Sequence, residues 1–281
     1  MAKLIDGKKI SAAIREEIKA ETAAFEKEYG YLPGLAVVIV GENPASQVYV
    51  RNKKRACEEV GFYSEVHELP EATTQAELNA LVDRLNADSK IHGILVQLPL
   101  PKHLDENEVL LRIDPKKDVD AFHPYNVGKI MIGDYDFLPC TPAGVMALLA
   151  RSNIEIAGKK CVVIGRSNIV GKPMAMLLLH ANGTVTICHS RTKDLAAVCR
   201  EADILVVAIG RADFVGADMV KEGAVVIDVG MNRRADGKLT GDVDFAAVEP
   251  IASAITPVPG GVGPMTITML LKNTLTAARK K

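Results

Sequence analysis

Short runs of aliphatic and β-branched residues alternate with helix-compatible segments along most of this 281-residue chain. In its first half the strand-like runs are 35–41, 64–69 and 93–98, separated by helical patterns that begin near Asn43 and Thr74. Strands that are joined through helices run parallel, because the crossover returns the chain to the same end of the sheet. The alternation therefore predicts an α/β protein built on parallel sheets.

A second series follows an irregular stretch at 114–139 that is rich in Asp, Pro, Gly and Tyr. Thr141 and Pro142 are typical of a helix start, so we place the change of domain there. Two domains also agree with a prior of roughly 150 residues for each domain. Further strands are predicted at 161–165, 184–188, 204–209 and 225–229, with a helix at 171–180.

Composition argues against several classes of function. The formal net charge is −1, aromatic residues make up 4% and Trp is absent, so neither charge nor stacking favours nucleic acid. No apolar run reaches the ~18 residues of a membrane-spanning helix, and the first residues do not resemble a signal peptide. The five cysteines are irregularly spaced and no histidine pair suits a metal, so we expect reduced thiols, no metal site and a cytoplasmic protein.

The segment 163–173 indicates a dinucleotide site. A predicted strand ends at Gly165, a loop follows, and Gly171 leads into a helix whose backbone N–H groups could bind a phosphate. No glycine lies between these two, so the segment is not a G-x-G-x-x-G motif. A purely structural turn between strand and helix therefore remains the alternative.

The end of the next strand indicates which dinucleotide. A site selective for NAD usually has an acidic residue about 20 residues further on, where it binds the ribose hydroxyls. Here Ser190 and Arg191 follow the strand instead. Together with Arg166 they suit a 2′-phosphate, so the sequence favours NADP. The alternative is that Arg191 is a solvated loop residue.

Tyr49 and Lys53 lie four residues apart on the predicted helix after Asn43, and Ser46 lies one turn earlier. This spacing puts the side chains on one helix face. Cationic neighbours between Arg51 and Arg55, together with burial, would lower the pKa of Lys53 and favour a neutral amine. The alternative is a solvated basic helix face.

Three polar residues stand out near the third strand. Gln97 interrupts an apolar run at the carboxyl end of the strand, where open α/β sheets bind ligands. Asp118 and Asp120 alternate, so an extended backbone would point them in opposite directions. One of them can then support the fold while the other faces a ligand.

Six of the eight residues in 257–264 are proline or glycine. Proline and glycine disfavour both a helix and a strand, so the segment predicts a rigid loop. Missing side chains let backbone approach a ligand closely, although a tight structural turn is the alternative.

Taken together, these segments resemble the bifunctional methylenetetrahydrofolate dehydrogenase/methenyltetrahydrofolate cyclohydrolase family. The matching segments keep the family's order along the chain, namely 46–53, 96–101, 117–120, 139–142, 165–167, 170–171 and 256–266. One departure is Ala121, where the family commonly has glycine. The resemblance implies NADP-dependent oxidation of 5,10-methylenetetrahydrofolate and hydrolysis of the product to 10-formyltetrahydrofolate, in the one-carbon metabolism that serves purine biosynthesis.

The resemblance also implies the domain layout. Residues 1–140 plus 264–281 would form an αβ substrate and catalytic domain, and residues 141–263 a Rossmann-like NADP-binding domain. The C-terminal helix would return to the first domain, and the folate would lie in the cleft between the two. A homodimer through the cofactor domains is expected.

The resemblance assigns roles to particular residues. Lys53 would be the principal catalytic residue with Tyr49 beside it, Gln97 would tune it, and Asp120 would bind the amino edge of the pterin. Further folate contacts are expected from Val96, Leu98, Pro259, Gly260, Gly261, Val262 and Gly263. NADP contacts are expected from Gly165, Arg166, Ser167, Ser190, Arg191 and Met231. The alternatives are another NADP-dependent dehydrogenase that acts on a small acid, and a non-catalytic dinucleotide sensor.

Overall fold

The structure is a computed structural model that describes residues 2–280. Its strands are β1 (Lys3–Leu4), β2 (Gly34–Val40), β3 (Tyr63–Leu69), β4 (Gly93–Val96), β5 (Lys160–Ile164), β6 (Thr184–Cys188), β7 (Ile204–Val207), β8 (Val225–Asp228), β9 (Asn232–Arg233), β10 (Leu239–Thr240) and β11 (Ala254–Ile255). Its helices are α1 (Gly7–Tyr29), α2 (Pro44–Val60), α3 (Gln75–Ala87), α4 (Glu106–Arg112), α5 (Pro124–Ile132), α6 (Cys140–Arg151), α7 (Gly171–His180), α8 (Leu195–Cys199), α9 (Phe245–Val248) and α10 (Val262–Arg279). Across these described residues, no helix has the length and apolarity needed to cross a membrane.

The chain forms two compact units, and the predicted α/β class is confirmed. The three-stranded unit comprises residues 13–138 and those from 267 onwards. The six-stranded unit comprises residues 139–266 and those up to 12. The sequence placed the first residues of the chain in the other domain. They group with the six-stranded unit because β1 pairs with β11, a contact between distant segments that no local pattern announces.

The three-stranded sheet has the order β3-β2-β4, and all of its strands are parallel. Every residue of β2 is buried, as expected for the central strand of a sheet covered on both faces. Asn43 caps α2, since its Oδ1 accepts from the backbone N–H of Ser46 over 3.1 Å. The end of the central strand therefore leads directly into a capped helix.

The six-stranded sheet has the order β1-β11-β8-β7-β5-β6, again with parallel neighbours throughout. All four residues of β7 are buried, while most of β6 is exposed at the edge of the sheet. The apolar core beneath it draws on β5, β7, β8 and β11. None of the five cysteines of the chain forms a disulfide, and all are buried.

The stretch 114–139 is more regular than the sequence suggested, because it contains α5. The ring Nδ1 of His123 accepts from the N–H of Tyr125 over 3.1 Å, and Pro124 occupies the first helical position. Gly133 ends the helix with a left-handed backbone, φ 79°. The sequence contains both a helix-start signal, Pro124, and a helix-stop signal, Gly133. The helix has only nine residues, and the Asp and Gly residues around it made the whole stretch read as irregular.

The segment 257–264 is a loop only as far as residue 261, because α10 begins at Val262. The prediction of a loop through Pro264 was therefore wrong for its last three residues. The first N–H groups of a helix have no acceptor within the helix, so proline costs little in the first turn. The loop therefore leads directly into the C-terminal helix α10, with no residues between them.

Candidate active site

The order of the three-stranded sheet locates a candidate substrate site within this unit. The chain places β3 on one side of β2 and β4 on the other, so the carboxyl ends of β2 and β4 form a topological switch point. Gln97 follows β4 immediately, and its N–H donates to the carbonyl of Val38 over 2.8 Å. Gln97 is thus held at the edge of the sheet where parallel α/β folds bind ligands.

Lys53 and Gln97 meet at this edge. The Nζ of Lys53 donates to Oε1 of Gln97 over 2.9 Å, although the two residues are 44 apart in sequence. The amide nitrogen of Gln97 donates to the carbonyl of Leu98 over 2.7 Å. This second bond fixes the amide orientation, so its oxygen faces the lysine.

The surroundings of Lys53 settle which face of α2 it occupies. Lys53 is 9% exposed and lies in the buried stripe that also contains Ser46, Val50 and Cys57. Its cationic neighbours Arg51, Lys54 and Arg55 are exposed. Lys53 is therefore not part of the solvated basic face that the sequence left open as an alternative.

Tyr49 lies one turn before Lys53 and is 41% exposed. It shares the helix with Lys53 but is open to solvent, so its phenol is accessible to a ligand. Val96 is buried at the end of β4, and Leu98 is half-buried beyond Gln97. The structure thus brings four of the predicted folate contacts, together with Lys53, to the switch point and the helix that follows β2.

Asp118 and Asp120 have different environments. Asp118 is 2% exposed, and its carboxylate accepts from the N–H groups of Phe122 and His123 and from Nδ2 of Asn126 over 2.8–3.2 Å. Burial raises the pKa of Asp118, while the bonds to Asn126 and the two N–H groups oppose that rise. Asp120 is half-buried. Asp118 supports the turn, which leaves Asp120 as the candidate ligand contact.

Ala121 has a left-handed backbone, with φ 56°. Glycine adopts this conformation without steric strain, whereas alanine does so at a cost. The turn between Asp118 and Phe122 therefore keeps its geometry despite the substitution noted in the sequence.

A second candidate site, for the dinucleotide, lies within the six-stranded unit at the carboxyl ends of β5 and β7. The chain places β6 on one side of β5 and β7 on the other, so these ends form the switch point of the larger sheet. Gly165 has φ 129°, and a Cβ there would lie 2.3 Å from the carbonyl oxygen of Ala208. Only glycine fits at this position, because the turn after β5 passes directly against the backbone of Ala208. A dinucleotide-binding loop requires such a close approach.

Ser167 changes one expectation about this loop. Its hydroxyl oxygen accepts from the N–H groups of Val170 and Gly171 over 3.2 and 3.3 Å. These two helix-start donors, which the sequence left for a phosphate, are therefore satisfied within the loop. The side chains of Arg166 and Ser167 are exposed and can still meet a phosphate.

The loop after β6 is ordered by its own hydrogen bonds. The N–H of His189 donates to Oγ1 of Thr192 over 2.9 Å, and the N–H of Arg191 donates to Nδ1 of His189 over 3.1 Å. The side chains of Ser190 and Arg191 are exposed at this strand end, and no carboxylate lies between residues 189 and 193. A hydroxyl and a guanidinium fit a phosphorylated ribose, whereas the acid that would bind a free ribose hydroxyl pair is missing.

Within the six-stranded unit, the first turn of α10, which follows the Pro/Gly loop, lies beside Met231. A Cβ on Gly263 would be 3.0 Å from Cε of Met231. The N–H of Lys8 donates to the carbonyl of Gly260 over 3.1 Å, which ties the loop to the start of α1. A predicted folate contact, Gly263, and a predicted cofactor contact, Met231, are therefore neighbours.

Sequence reasoning missed two buried carboxylates in this unit, Asp228 and Asp242. Both are at most 3% exposed and accept several backbone N–H groups near the ends of β7 and β8. The available signal was an acidic residue that ends an otherwise apolar strand, Val225–Asp228.

A cavity of about 520 Å³ lies elsewhere in the three-stranded unit. Ile91 and His92, which precede β4, are among its walls, so it opens at the amino end of this strand. None of the predicted site residues contributes to it. Ligand sites in parallel sheets lie at the opposite, carboxyl end, and the cavity is therefore not part of the candidate site.

Comparison with known proteins identifies the family. The model of the tetrahydrofolate dehydrogenase/cyclohydrolase catalytic domain matches residues 5–120, and that of the family's NAD(P)-binding domain matches residues 139–281. The chain belongs to the tetrahydrofolate dehydrogenase/cyclohydrolase family. It is thus a bifunctional folate enzyme, as the sequence predicted.

The similarity to members of the family extends over the whole chain. The bifunctional protein FolD of Moorella thermoacetica is 64% identical, with 99% of each chain covered. The crystal structure of the bifunctional FolD of Campylobacter jejuni is 53% identical, with a TM-score of 0.97 over 100% of this chain and 99% of that one. The Trypanosoma brucei FolD, solved with NADP and an inhibitor, is 44% identical, with a TM-score of 0.95 over 99% and 98% of the two chains.

Proposed function

We propose that the enzyme oxidises 5,10-methylenetetrahydrofolate with NADP and hydrolyses the methenyl product to 10-formyltetrahydrofolate, with Lys53 as the principal catalytic residue. The observation that carries the assignment of Lys53 is its hydrogen bond to Gln97 at the switch point of the three-stranded sheet. A buried lysine that donates to an amide oxygen at the ligand-binding edge of a sheet is placed for chemistry and not for solvation.

Lys53 would serve the hydrolytic step. Water adds to the methenyl carbon and loses a proton. The ring then opens as a C–N bond breaks, the folate nitrogen takes up a proton, and the hydroxyl loses its proton to become the formyl carbonyl, so that one proton is released overall. An amine beside the reacting carbon can take the first proton and return the second. Gln97 would hold Nζ in place for both transfers, and Tyr49 would position the substrate next to it.

Oxidation makes different demands. When bound, NADP accepts a hydride at C4 of its nicotinamide, and the folate nitrogens stabilise the cation that forms. The task of the chain is therefore to position and shield the reactants. We assign this task to Val96, Gln97 and Leu98, to Asp120 at the pterin amino edge, and to residues 259–263, where the loop passes into α10.

The preference for NADP over NAD is assigned to the strand end after β6. Ser190, Arg191 and Arg166 offer one hydroxyl and two guanidinium groups for a 2′-phosphate. Gly165, Ser167 and Met231 would complete the cofactor contacts. The NADP complex of the 44% identical Trypanosoma brucei relative supports this choice.

The enzyme is further proposed to be a cytoplasmic homodimer that supplies formyl groups for purine biosynthesis. Five buried thiols without a disulfide are typical of a reducing compartment. The strand β6 supports pairing of subunits through the cofactor unit, because it lies at the sheet edge with Ile187 38% exposed. Light scattering of the purified enzyme would give twice the mass of the chain.

The direct test mixes the purified enzyme with NADP and 5,10-methylenetetrahydrofolate and follows the absorbance of NADPH. The acid-stable methenyl product is quantified separately, and hydrolysis is measured with methenyltetrahydrofolate alone. We expect both activities, with NADP used in preference to NAD. A folded protein that binds NADP but turns over neither substrate would instead be a dinucleotide sensor.

A further inference from the structure

The carboxylate of Asp242 lies at the centre of a buried network in the six-stranded unit. Asp242 is 0% exposed. Its Oδ2 accepts from the N–H groups of Ile209 and Gly210 over 2.7 and 3.0 Å, and its Oδ1 accepts from the N–H of Arg211 over 2.8 Å. Nδ2 of Asn232 adds a fourth bond over 2.8 Å. One side chain thus satisfies three consecutive backbone donors.

These donors form the turn that follows β7. In a planar trans peptide the N–H and the preceding C=O point in opposite directions. With the N–H groups of 209–211 directed at Asp242, the carbonyls of 208–210 point away from it. The carbonyl of Ala208 points towards Gly165, as the 2.3 Å approach of a Cβ placed there shows. The turn therefore lies at the β5/β7 switch point, beside the dinucleotide loop.

Asp228 holds Asp242 itself in place. Its Oδ1 accepts from the N–H groups of Asp242 and Gly230, and its Oδ2 accepts from the N–H of Val243, each over 2.9 Å. The N–H of Asp228 donates in turn to Oγ1 of Thr256 over 2.8 Å. Two carboxylates therefore fix the segments after β7 and β8, including the backbone next to Met231.

A network that served folding alone would not need two buried carboxylates. Burial of a carboxylate is costly unless every oxygen is well satisfied, and apolar residues close a turn at lower cost. Here Asp242 accepts from the segment that follows β7, and Asp228 accepts from Gly230, which follows β8. Both segments lie at the ligand-binding edge of the sheet. The arrangement fixes the direction of the carbonyls of Ile209 and Gly210 at this edge, where hydroxyl and carboxamide groups of a dinucleotide would need partners.

We propose that Asp242 is a positioning residue of the cofactor site, which holds the turn 209–211 so that its outward carbonyls bind donors on the ribose or carboxamide of the dinucleotide. This rests on the proposed use of NADP by the six-stranded unit. Asp242 would act on the cofactor through this turn and not by direct contact. Its effect would therefore be confined to the binding of NADP.

The test compares Asp242→Asn with Asp213→Asn. The first substitution is isosteric but turns an NH₂ donor towards backbone donors. Asp213 also accepts several bonds in this unit, from Arg234 and Thr240, but it does not hold the turn. We expect Asp242→Asn to raise the KM for NADP and the Kd from calorimetry at least tenfold, with hydrolysis of methenyltetrahydrofolate within twofold of wild type. Asp213→Asn should change neither KM nor Kd.

Unchanged NADP binding in a folded Asp242→Asn enzyme would overturn the proposal, as would an equal loss in Asp213→Asn. If Asp242→Asn does not fold, as judged by thermal unfolding, Asn232→Ala removes one donor and keeps the carboxylate. It must then raise the KM for NADP about threefold, and no change would overturn the proposal. Wild-type enzyme without NADP-dependent turnover would refute the proposed function instead, while calorimetry with NADP would still test the role of Asp242.

Discussion

The Nζ of Lys53 lies 2.9 Å from Oε1 of Gln97, and this hydrogen bond joins the buried face of α2 to the residue that follows β4. Both elements leave the same edge of one parallel sheet, α2 after β2 and Gln97 after β4. The position of the Lys53 amine on the helix therefore depends on the side-chain amide of Gln97 at the strand end.

Replacement of Lys53 by methionine keeps the length of the side chain and removes the amine. We expect cyclohydrolase turnover to fall by about 10²–10⁴, the range typical of a lost acid–base group. NADP binding and thermal unfolding should stay close to wild type. Lys54→Met is the matched control, because Lys54 is the exposed neighbour on the same helix. Near-normal hydrolysis by Lys53→Met would remove Lys53 from its catalytic role.

Gln97 can be tested by charge as well as by deletion. Gln97→Glu places a carboxylate beside Nζ, which stabilises the ammonium form. The pH at which cyclohydrolase turnover reaches half of its maximum should therefore rise, while Gln97→Ala should lower turnover about tenfold without this displacement. Measured pH–rate profiles decide the matter, and identical profiles for wild type and Gln97→Glu would contradict the coupling to Lys53.

Cofactor selectivity is predicted to depend on the two exposed arginines. Arg166→Ala and Arg191→Ala should each raise the KM for NADP about tenfold, the effect of one lost charge-assisted hydrogen bond. The KM for NAD should change less than twofold. Lys193→Ala tests for a general effect of positive charge, because Lys193 is an exposed cation in the same loop. Equal losses with NADP and NAD would exclude a 2′-phosphate contact.

The two aspartates of 117–120 should separate stability from binding. Asp118→Ala leaves buried donors without an acceptor and should lower the free energy of unfolding by about 2 kcal/mol. Asp120→Asn should leave thermal unfolding unchanged and raise the KM for the folate about tenfold. The opposite pattern, with a stability loss at Asp120 and a binding loss at Asp118, would reverse the two assignments.

Asp228 is predicted to titrate above the usual range of a carboxyl group. Burial raises its pKa to about 6, although the hydrogen bonds that it accepts from backbone N–H groups oppose this rise. The folded protein then takes up this proton below about pH 6, whereas the unfolded chain does so only near 4. The contribution of Asp228 to stability is therefore full below pH 4 and is lost as the pH rises through 6.

Carboxyl ¹³C NMR with Asp228→Asn for assignment gives the midpoint of this titration directly. The same variant should lose the part of the pH dependence of unfolding that falls between pH 4 and 6. A midpoint near 4 in the folded protein would show that the hydrogen bonds of Asp228 outweigh its burial.

Local patterns carried much of the fold. The apolar runs at 35–41 and 161–165 became β2 and β5 with bounds within one residue of those predicted, because a buried parallel strand needs an unbroken aliphatic segment. The run at 184–188 became the edge strand β6 with the predicted bounds, although most of it is exposed. The sequence did not reveal β1 or β11. Each has two residues, and each depends on partners far away in sequence: β1 pairs with β11, some 250 positions away, and β11 also pairs with β8.

The candidate site shows the same division. The residues at the end of the second predicted strand of the cofactor domain favoured NADP, and the resemblance of the matching segments to a folate enzyme family implied the folate and the roles of Lys53, Tyr49 and Gln97. Their environments were decided by the tertiary structure. The sequence surrounds Lys53 with cations, and only packing against the sheet shows that those neighbours face water while Lys53 meets an amide.

Asp242 is the clearest case of what only the tertiary structure decided. In sequence it is one acidic residue among several between 228 and 244, and nothing nearby marks it. In the structure it satisfies three N–H groups of a turn about thirty residues earlier. Local sequence determines helices, strands and the chemistry available, because these depend on neighbouring residues. Which carboxylate is buried and what it holds depends on strand order, which arises only when distant segments pack into one sheet.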